Sequence, residues 1–376
     1  MKIIILFDSF SLGGAEFHAF KLAKYFSKIK KYETTILVFK EGDGAIKKLC
    51  DKEGINTRVI GEFTRIRRFM FPLQIRKYRK IFNEFKPDVI LSFNLLPNLL
   101  NGFIWKHTTA KFGIWSQQNI SPIILRGQIE KNAIKNISCF ISNSFHGAEF
   151  LVSNLFVEKE KVFVVQNGIE EASIKFSVGE WRNKLGLTGD EFVGIMPANL
   201  TGTKDHITLL KAWKIVSEKL IAENTKAILL LPGRLGETTD HIMVQIRDSD
   251  MFSNVKILGM ITDMPGLYRV ADISILSSNA EGLPNAVLES MEAGLPVIGT
   301  RIAGIMECVG EEGYQYLHDP YDFEKLAENI LRFSYDDTLS EKVGTFNHER
   351  VKKHFAYERM CEETLAVISK CYGHSK

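Results

Sequence analysis

The sequence has little cysteine and no long apolar run. Its five cysteines form no CxxC pair and no Cys/His grouping at the spacing of zinc ligands, so we predict reduced, mostly buried thiols and no structural metal. No apolar run approaches the roughly 18 to 20 residues that cross a bilayer. The apolar opening KIIILF stops at Asp8, before the core of a signal peptide could form. We therefore expect a cytoplasmic protein.

Two further patterns are missing, and each absence argues against a class of protein. The glycine-containing stretch SLGGAEFHA, residues 11–19, does not have the GxGxxG spacing of a nicotinamide-binding dehydrogenase. No recognisable nucleic-acid-binding module accompanies the basic residues of the chain. We therefore expect neither a dehydrogenase nor a nucleic acid partner.

Charge is distributed unevenly, although the formal net charge is only +3. Residues 1–166 hold 26 of the 48 Lys and Arg residues and 14 of the 45 Asp and Glu residues, so the two parts of the chain carry +12 and −9. Much of the positive excess lies in TRIRRFMFPLQIRKYRK, residues 64–80, where seven cations alternate with large apolar side chains. This pattern is typical of a peripheral anchor on an anionic membrane surface, and a solvated basic loop and helix is the alternative.

Apolar, β-branched runs alternate with amphipathic segments along most of the 376 residues, a length that favours two cores. Such runs separated by helices predict parallel sheets covered on both faces. The alternation pauses at QNGIEEASIKFS, residues 166–177, and then restarts. We therefore predict an α/β protein with two Rossmann-like doubly wound domains, residues 1–168 and 169–352, and a C-terminal helix in 353–376 that packs back toward the first domain. A ligand cleft is expected at the carboxyl ends of the strands, between the domains.

Two glutamates stand on either side of a turn in SSNAEGLPNAVLE, residues 277–289. This stretch follows the apolar run DISIL and begins a helix at about Asn285. Gly282 lets the backbone approach a ligand, and Pro284 suits the first helical turn. Glu281 and Glu289 together suit a ligand rich in hydroxyl groups, since carboxylates accept hydrogen bonds from them. The alternative is two solvated acids favoured by the helix dipole.

EGLPNAVLESMEAGLPVIGT, residues 281–300, resembles the E-x7-E region of the family-four retaining glycosyltransferases, two-domain enzymes of the GT-B fold. The resemblance extends over most of the chain. Residues 258–278 are similar to the preceding donor-domain segment, VVQNGI at 164–169 to the interdomain signature, and SLGGAEFHAFKLA at 11–23 to the N-terminal glycine loop. The chain is therefore expected to have the GT-B fold.

The resemblance implies that the second domain binds a nucleoside diphosphate sugar, with a UDP-sugar favoured, and that no metal or other cofactor takes part. Glu289 would bind the ribose hydroxyls, and Glu281 would contact the donor sugar near its reacting end. Backbone groups of the turn and of the helix start would lie near the sugar or the diphosphate; they belong to Gly282, Leu283, Asn285 and Ala286.

The family's Arg-x4-Lys segment corresponds to PANLTGTKDHITLLKAW, residues 197–213. Lys204 takes the lysine place and would neutralise the leaving diphosphate, a catalytic role in a reaction without metal. Asn199 stands where many members have arginine, which leaves the second diphosphate cation open. Arg234, in the next strand-end loop, is a candidate for that charge, and a surface or base-pocket role is the alternative.

The first domain would bind the acceptor. Gly13 and Gly14 form the turn after the first strand, and Glu16 follows at the helix start. Asn119 lies where the family often has a histidine. An asparagine can hydrogen-bond a sugar but cannot titrate near neutrality. His146 follows the strand CFIS, and a packing or capping role is its alternative.

The expected function is a retaining glycosyltransferase that moves a sugar to a saccharide acceptor, lipid-linked in our interpretation, for capsule, O-antigen or related glycan synthesis at the inner face of the cell membrane. Two alternatives stay open. A sugar-nucleotide epimerase would use the same nucleotide pocket, and a non-catalytic sugar-nucleotide-binding protein would accommodate Asn199.

Overall fold

The computed structural model describes residues 1–63, 71–118, 128–171 and 173–373. It divides into two compact units. The first contains Met1–Gly168 and the C-terminal segment that begins at Tyr357, and the second contains Ile169–Ala356.

The first unit is built on a seven-stranded parallel sheet. Its strands are β1 (Lys2–Ser9), β2 (Glu33–Lys40), β3 (Asn56–Val59), β4 (Val89–Phe93), β5 (Phe112–Gln117), β6 (Cys139–Ser142) and β7 (Val162–Val164). The α-helices within Met1–Gly168 are α1 (Gly14–Ser27), α2 (Ala45–Lys52), α3 (Phe71–Phe85), α4 (Leu95–Ile104), α5 (Gln128–Asn136) and α6 (Phe145–Leu155). The strand order is β3-β2-β1-β4-β5-β6-β7, so the winding direction changes between β1 and β4.

The second unit repeats this plan with a six-stranded parallel sheet. Its strands are β8 (Phe192–Ile195), β9 (Ala227–Pro232), β10 (Val255–Gly259), β11 (Ile273–Leu276), β12 (Val297–Thr300) and β13 (Leu317–His318). Its helices are α7 (Val178–Leu185), α8 (His206–Ala222), α9 (Thr239–Asp248), α10 (Met264–Tyr268), α11 (Asn285–Glu292), α12 (Ala303–Val309), α13 (Phe323–Ser334) and α14 (Asp337–His354). The order β10-β9-β8-β11-β12-β13 changes direction between β8 and β11.

The central strands are apolar on both faces because helices cover both faces. In β1, for example, Ile4 and Ile5 point to opposite sides of the sheet and are 1% and 0% exposed. In β8, Gly194 leaves room for the indole of Trp213, since a Cβ there would lie 2.6 Å from the ring. These two doubly wound sheets confirm the predicted fold class. The cleft between the domains stays a prediction.

The last helix, α15 (Tyr357–Gly373), belongs to the first unit. The Tyr357 hydroxyl donates to the carbonyl of Lys21 in α1 at 2.9 Å. Met360 and Ile368 add their side chains to the apolar core beneath α1. Both ends of the chain therefore contribute to one core.

His18 of α1 is enclosed in that first unit, with 3% of its surface exposed. Its ring lies 5.6 Å from the ring of Phe93. Burial is the main cause that lowers the pKa of His18 to about 3. The charge of Lys21 lowers the pKa further, and the neighbouring Asn167 side chain acts in the opposite direction. His18 is therefore neutral at physiological pH.

All five cysteines are free thiols, and four of them are buried. None of the helices in the described part of the chain is both long and apolar enough to span a bilayer.

Candidate functional site

The carboxyl edge of the second sheet brings together two loops that are far apart in sequence. One loop follows β8 and carries Lys204, and the other follows β11 and carries Glu281. Asp205 N donates to the carbonyl of Ser277 at 3.0 Å, and Asn279 N donates to the carbonyl of Thr203 at 2.9 Å. Each loop therefore fixes the backbone of the other.

Lys204 and Glu281 form an ion pair within this junction. Their side chains are 20% and 12% exposed, so the pair is largely removed from water. The ammonium group is thus held at the sheet edge beside the carboxylate, where an incoming phosphate would compete with Glu281 for it. An approaching sugar hydroxyl would likewise compete for the carboxylate.

The turn after Glu281 leads directly into α11. Pro284 is the N-cap, with an extended backbone (φ −73°, ψ 115°), rather than a residue of the first helical turn as the sequence suggested. Asn285 and Ala286 form that first turn, and Leu283 is 3% exposed. The turn packs against α12 so closely that a Cβ on Gly304 would lie 1.8 Å from the Gly282 carbonyl oxygen. This contact fixes the start of α11.

Glu289 lies one turn inside α11, and the buried Tyr268 of α10 holds its carboxylate. The Tyr268 hydroxyl donates to Glu289 Oε2 at 3.1 Å. Burial and then the charge of Glu289 raise the pKa of Tyr268 well above its ordinary value, so the phenol remains a donor. The sequence analysis did not identify Tyr268, which stands 21 residues before its partner.

Asn199 joins the ends of β8 and β9. Its side-chain oxygen accepts from Arg234 N at 3.0 Å, and Leu200 N donates to the Arg234 carbonyl at 2.9 Å. A Cβ on Gly233 would lie 1.9 Å from the Ala198 carbonyl oxygen, so this approach requires glycine. An arginine at position 199 has no side-chain acceptor to make this bond. The residue that departs from the family pattern therefore positions the backbone of Arg234.

At the carboxyl edge of the first sheet, Gly13 is the N-cap of α1, and Gly14 is the first residue of the helix. A Cβ on Gly13 would lie 2.3 Å from Glu16 Oε2, so glycine leaves room for that carboxylate. The Asn94 amide donates to Glu16 Oε1 at 2.7 Å.

Two residues of this edge were missed by the sequence analysis. Asn94 follows β4 at φ 67°, an uncommon value for a residue other than glycine. Asp8, near the end of β1, also hydrogen-bonds with Asn94, and burial raises the pKa of its carboxyl group against that bond and the charge of Lys40. The sequence signal for Asp8 was the acid that interrupts the first apolar run. The arrangement lies where the winding of the sheet reverses, the usual ligand position in such folds.

The remaining acceptor candidates are His146 and Asn119. His146 is exposed in the first turn of α6, where Ser144 is the capping residue and accepts from Gly147 N at 3.1 Å. Helix capping is thus not the role of His146. Asn119 lies outside the described residues. Within the described ranges, no group of three or more His, Cys, Asp or Glu residues could hold a metal ion.

Comparison with known protein families confirms the resemblance. Residues 177–350 match the model described as Glycosyl transferases group 1, and residues 12–173 match Glycosyltransferase Family 4. Both candidate edges fall within these matches, apart from Asp8.

Curated relatives are similar over part of their length. The chain is 25% identical over 237 residues to the UDP-Gal:alpha-D-GlcNAc-diphosphoundecaprenol alpha-1,3-galactosyltransferase of Escherichia coli, covering 62% of this chain and 61% of the relative. It is 26% identical over 233 residues to the capsular polysaccharide biosynthesis glycosyltransferase CapM of Staphylococcus aureus, covering 59% and 58%. The matched part thus spans about three fifths of these relatives.

Among solved structures, Anabaena Alr3699/HepE in complex with UDP and glucose is similar over nearly the whole chain. The TM-score is 0.85 at 20% identity, with 98% of this chain and 100% of that chain covered. At this identity the similarity shows the fold, and it supports the GT-B architecture expected from the sequence.

Proposed function

This chain belongs to the group 1 and family 4 glycosyltransferases, and from that premise we propose that it transfers a sugar, with retention of configuration, from a nucleoside diphosphate sugar to a saccharide acceptor. The observation that carries the proposal is the Lys204–Glu281 pair, whose glutamate lies in the loop that leads into α11, the helix that carries Glu289. A phosphate-binding cation, a sugar-binding carboxylate and a ribose-binding carboxylate are the three groups that such a donor requires.

The donor is proposed to be a UDP-sugar. Glu289 binds the ribose hydroxyls, Glu281 binds the sugar, and Lys204 binds the diphosphate. Arg234, positioned through Asn199, supplies a second cation for the diphosphate. The structural neighbour in complex with UDP and glucose supports this choice of nucleotide.

In the proposed reaction, the bond between the anomeric carbon and the diphosphate oxygen breaks, and a bond from an acceptor hydroxyl oxygen to the same carbon forms on the same face. The acceptor proton passes to the leaving diphosphate. Negative charge grows on the diphosphate as the bond breaks, so Lys204 and the N-terminus of α11 stabilise the transition state more than the bound donor.

The acceptor is proposed to bind at the carboxyl edge of the first sheet, beside Gly13 and Glu16. Asp8 and Asn94 extend the set of groups there that recognise hydroxyls. We propose a lipid-linked saccharide, as in capsule or O-antigen synthesis. The E. coli relative, whose name specifies a diphosphoundecaprenol-linked sugar, supports this class of acceptor.

A lipid-linked acceptor would bring the protein to the inner face of the cell membrane. Residues 64–70 of the basic segment lie outside the described residues. In α3, Tyr78 and Phe82 are fully buried in the core, whereas Leu73 is 67% exposed. The exposed cations of this helix, here called the basic face of α3, are Arg76, Lys77, Arg79 and Lys80. We therefore propose peripheral, mainly electrostatic attachment to anionic lipid through this face.

The proposed function is tested by incubating the protein with a panel of UDP-, GDP-, ADP- and CMP-sugars, recording the shift in melting temperature and the release of nucleotide with and without saccharide acceptors. Selective stabilisation by UDP-sugars and acceptor-dependent release of UDP are expected. Epimerised sugar nucleotide in the absence of acceptor would indicate the epimerase instead. Binding without turnover on any acceptor would indicate a non-catalytic protein.

A further inference from the structure

We propose that Tyr268 is a positioning residue for the donor nucleotide, because its hydroxyl fixes the carboxylate of Glu289 in the orientation that receives the ribose. The inference rests on the proposed function, in which Glu289 binds those hydroxyls. It adds a residue that lies outside the E-x7-E motif and on a different helix.

The contact is specific in geometry. The Tyr268 hydroxyl donates to Glu289 Oε2 at 3.1 Å, and the tyrosine is only 2% exposed. The same hydroxyl lies beside the side chain of Ser290, the next residue of α11. Ser290 is in turn fixed by the Ser274 hydroxyl at 2.7 Å and by the Ala286 carbonyl at 2.8 Å. The phenol therefore stands between two neighbouring side chains of α11.

The helix that carries Tyr268 is itself fixed. The carboxylate of Asp263, the N-cap of α10, accepts hydrogen bonds from Phe176 N at 3.0 Å and from Trp181 Nε1 at 2.9 Å. Asp263 is 2% exposed, so these bonds are shielded from water. Such bonds orient the five-residue α10 and with it the phenol. The position of the hydroxyl is thus set by the core rather than by the ligand.

This support matters because a glutamate side chain on a helix surface has several rotamers. Restricting it to one on binding costs free energy in lost rotamer freedom. A hydrogen bond from Tyr268 restricts the side chain before the ligand arrives, and a carboxylate can accept further hydrogen bonds, so a ribose hydroxyl can still donate to it. Preorganisation of this kind increases affinity without any contact between Tyr268 and the nucleotide.

The test is the Tyr268→Phe variant, which removes one oxygen atom and keeps the ring in the core. UDP affinity is measured by calorimetry for the wild type, Tyr268→Phe, Glu289→Ala and the double variant. We expect Tyr268→Phe to weaken UDP binding about five- to tenfold and to raise the donor KM similarly, with kcat within about twofold. In the Glu289→Ala background, the same change should have no further effect.

Tyr316→Phe is the matched control. Tyr316 is buried in the same unit, where its ring lies 4.9 Å from that of Phe333 in α13. It should leave UDP affinity unchanged.

Unaltered UDP affinity in Tyr268→Phe would overturn the inference while leaving the proposed function intact. An equal loss in the Glu289→Ala background would also overturn it, because the hydroxyl would then act independently of Glu289. If the wild-type protein bound no nucleoside diphosphate at all, the proposed function would fail first and the inference with it.

Discussion

The Lys204–Glu281 ion pair gives opposite expectations for nucleotide binding and for turnover. Glu281→Gln removes the carboxylate charge but keeps the size of the side chain. In the ligand-free variant, Lys204 therefore has no carboxylate partner. Its side chain is 20% exposed, so the broken pair is intermediate between a fully exposed pair and a fully buried one. Exposed pairs contribute at most about 1 kcal/mol, and breaking a buried pair costs about 3–5 kcal/mol, so we expect a loss of about 1–2 kcal/mol.

This loss has a thermal and a binding consequence. For a domain of this size it corresponds to a decrease in melting temperature of about 2–8 °C. When a nucleoside diphosphate binds, Lys204 meets the phosphates, and Glu281 no longer competes for it. UDP affinity should therefore rise, by about 5- to 30-fold if the whole 1–2 kcal/mol is recovered. Turnover of the UDP-sugar should fall about 100-fold or more, because the transition state loses a contact with the sugar.

Calorimetry with UDP, together with steady-state kinetics on the UDP-sugar, separates these effects. The matched control is Glu328→Gln, which removes a glutamate from the exposed Lys325–Glu328 pair of the same unit and should change neither quantity. If Glu281→Gln lowered UDP affinity as strongly as it lowered turnover, the assignment of Glu281 to the sugar and Lys204 to the diphosphate would be wrong.

Three other predictions concern separate parts of the molecule. Glu289→Ala should weaken UDP binding about tenfold or more in calorimetry, and unchanged affinity would remove it from the ribose site. Replacing the four cations of the basic face of α3 with glutamines should reduce sedimentation of the protein with anionic vesicles at low salt. Replacing the lysines of the segment 28–31 with glutamines is the control and should not reduce it. Equal effects of the two sets of substitutions would indicate non-specific attraction. The pKa of His18 is about 3 in the folded protein and about 6.5 in the unfolded chain, so between these values the unfolded chain binds the proton more readily. The free energy of unfolding should therefore fall as the pH falls from 6.5 toward 3. In denaturant titrations at a series of pH values, the free energy of unfolding should decline less steeply for His18→Gln than for the wild type, whereas exposed His107→Gln should behave like the wild type. Parallel pH dependence of His18→Gln and wild type would contradict the buried neutral state of His18.

The sheets were predictable because the central strands are mostly apolar on both faces, a pattern that favours a parallel sheet covered by helices on both sides. The two parallel sheets confirm the fold class. The family, which was expected from the E-x7-E region, is confirmed by the matching family models. The start of α11 was predicted at Asn285, and the helix does begin there. Pro284 is the N-cap rather than a residue of the first helical turn, a distinction that depends on backbone angles rather than on residue type.

The side-chain contacts of the candidate site were harder to predict from the sequence than the sheets. Lys204 and Glu281 are 77 residues apart, and their pairing depends on which strands are neighbours in the sheet. Tyr268 looked like an ordinary core aromatic, since nothing local shows where its hydroxyl points. The contacts of Asn94 were equally hard to predict, because its partners Asp8 and Glu16 lie on a different strand and on a helix. The roles assigned to these residues stay predictions.

The measurement that tests the central claim most directly is NMR spectroscopy of the anomeric signal while the protein acts on a UDP-hexose and a lipid-linked saccharide acceptor, with Lys204→Ala in parallel. The account predicts UDP release together with a product of retained α configuration in the wild type, and a much slower reaction in the variant. A product of inverted configuration, or equal rates for the two proteins, would contradict it.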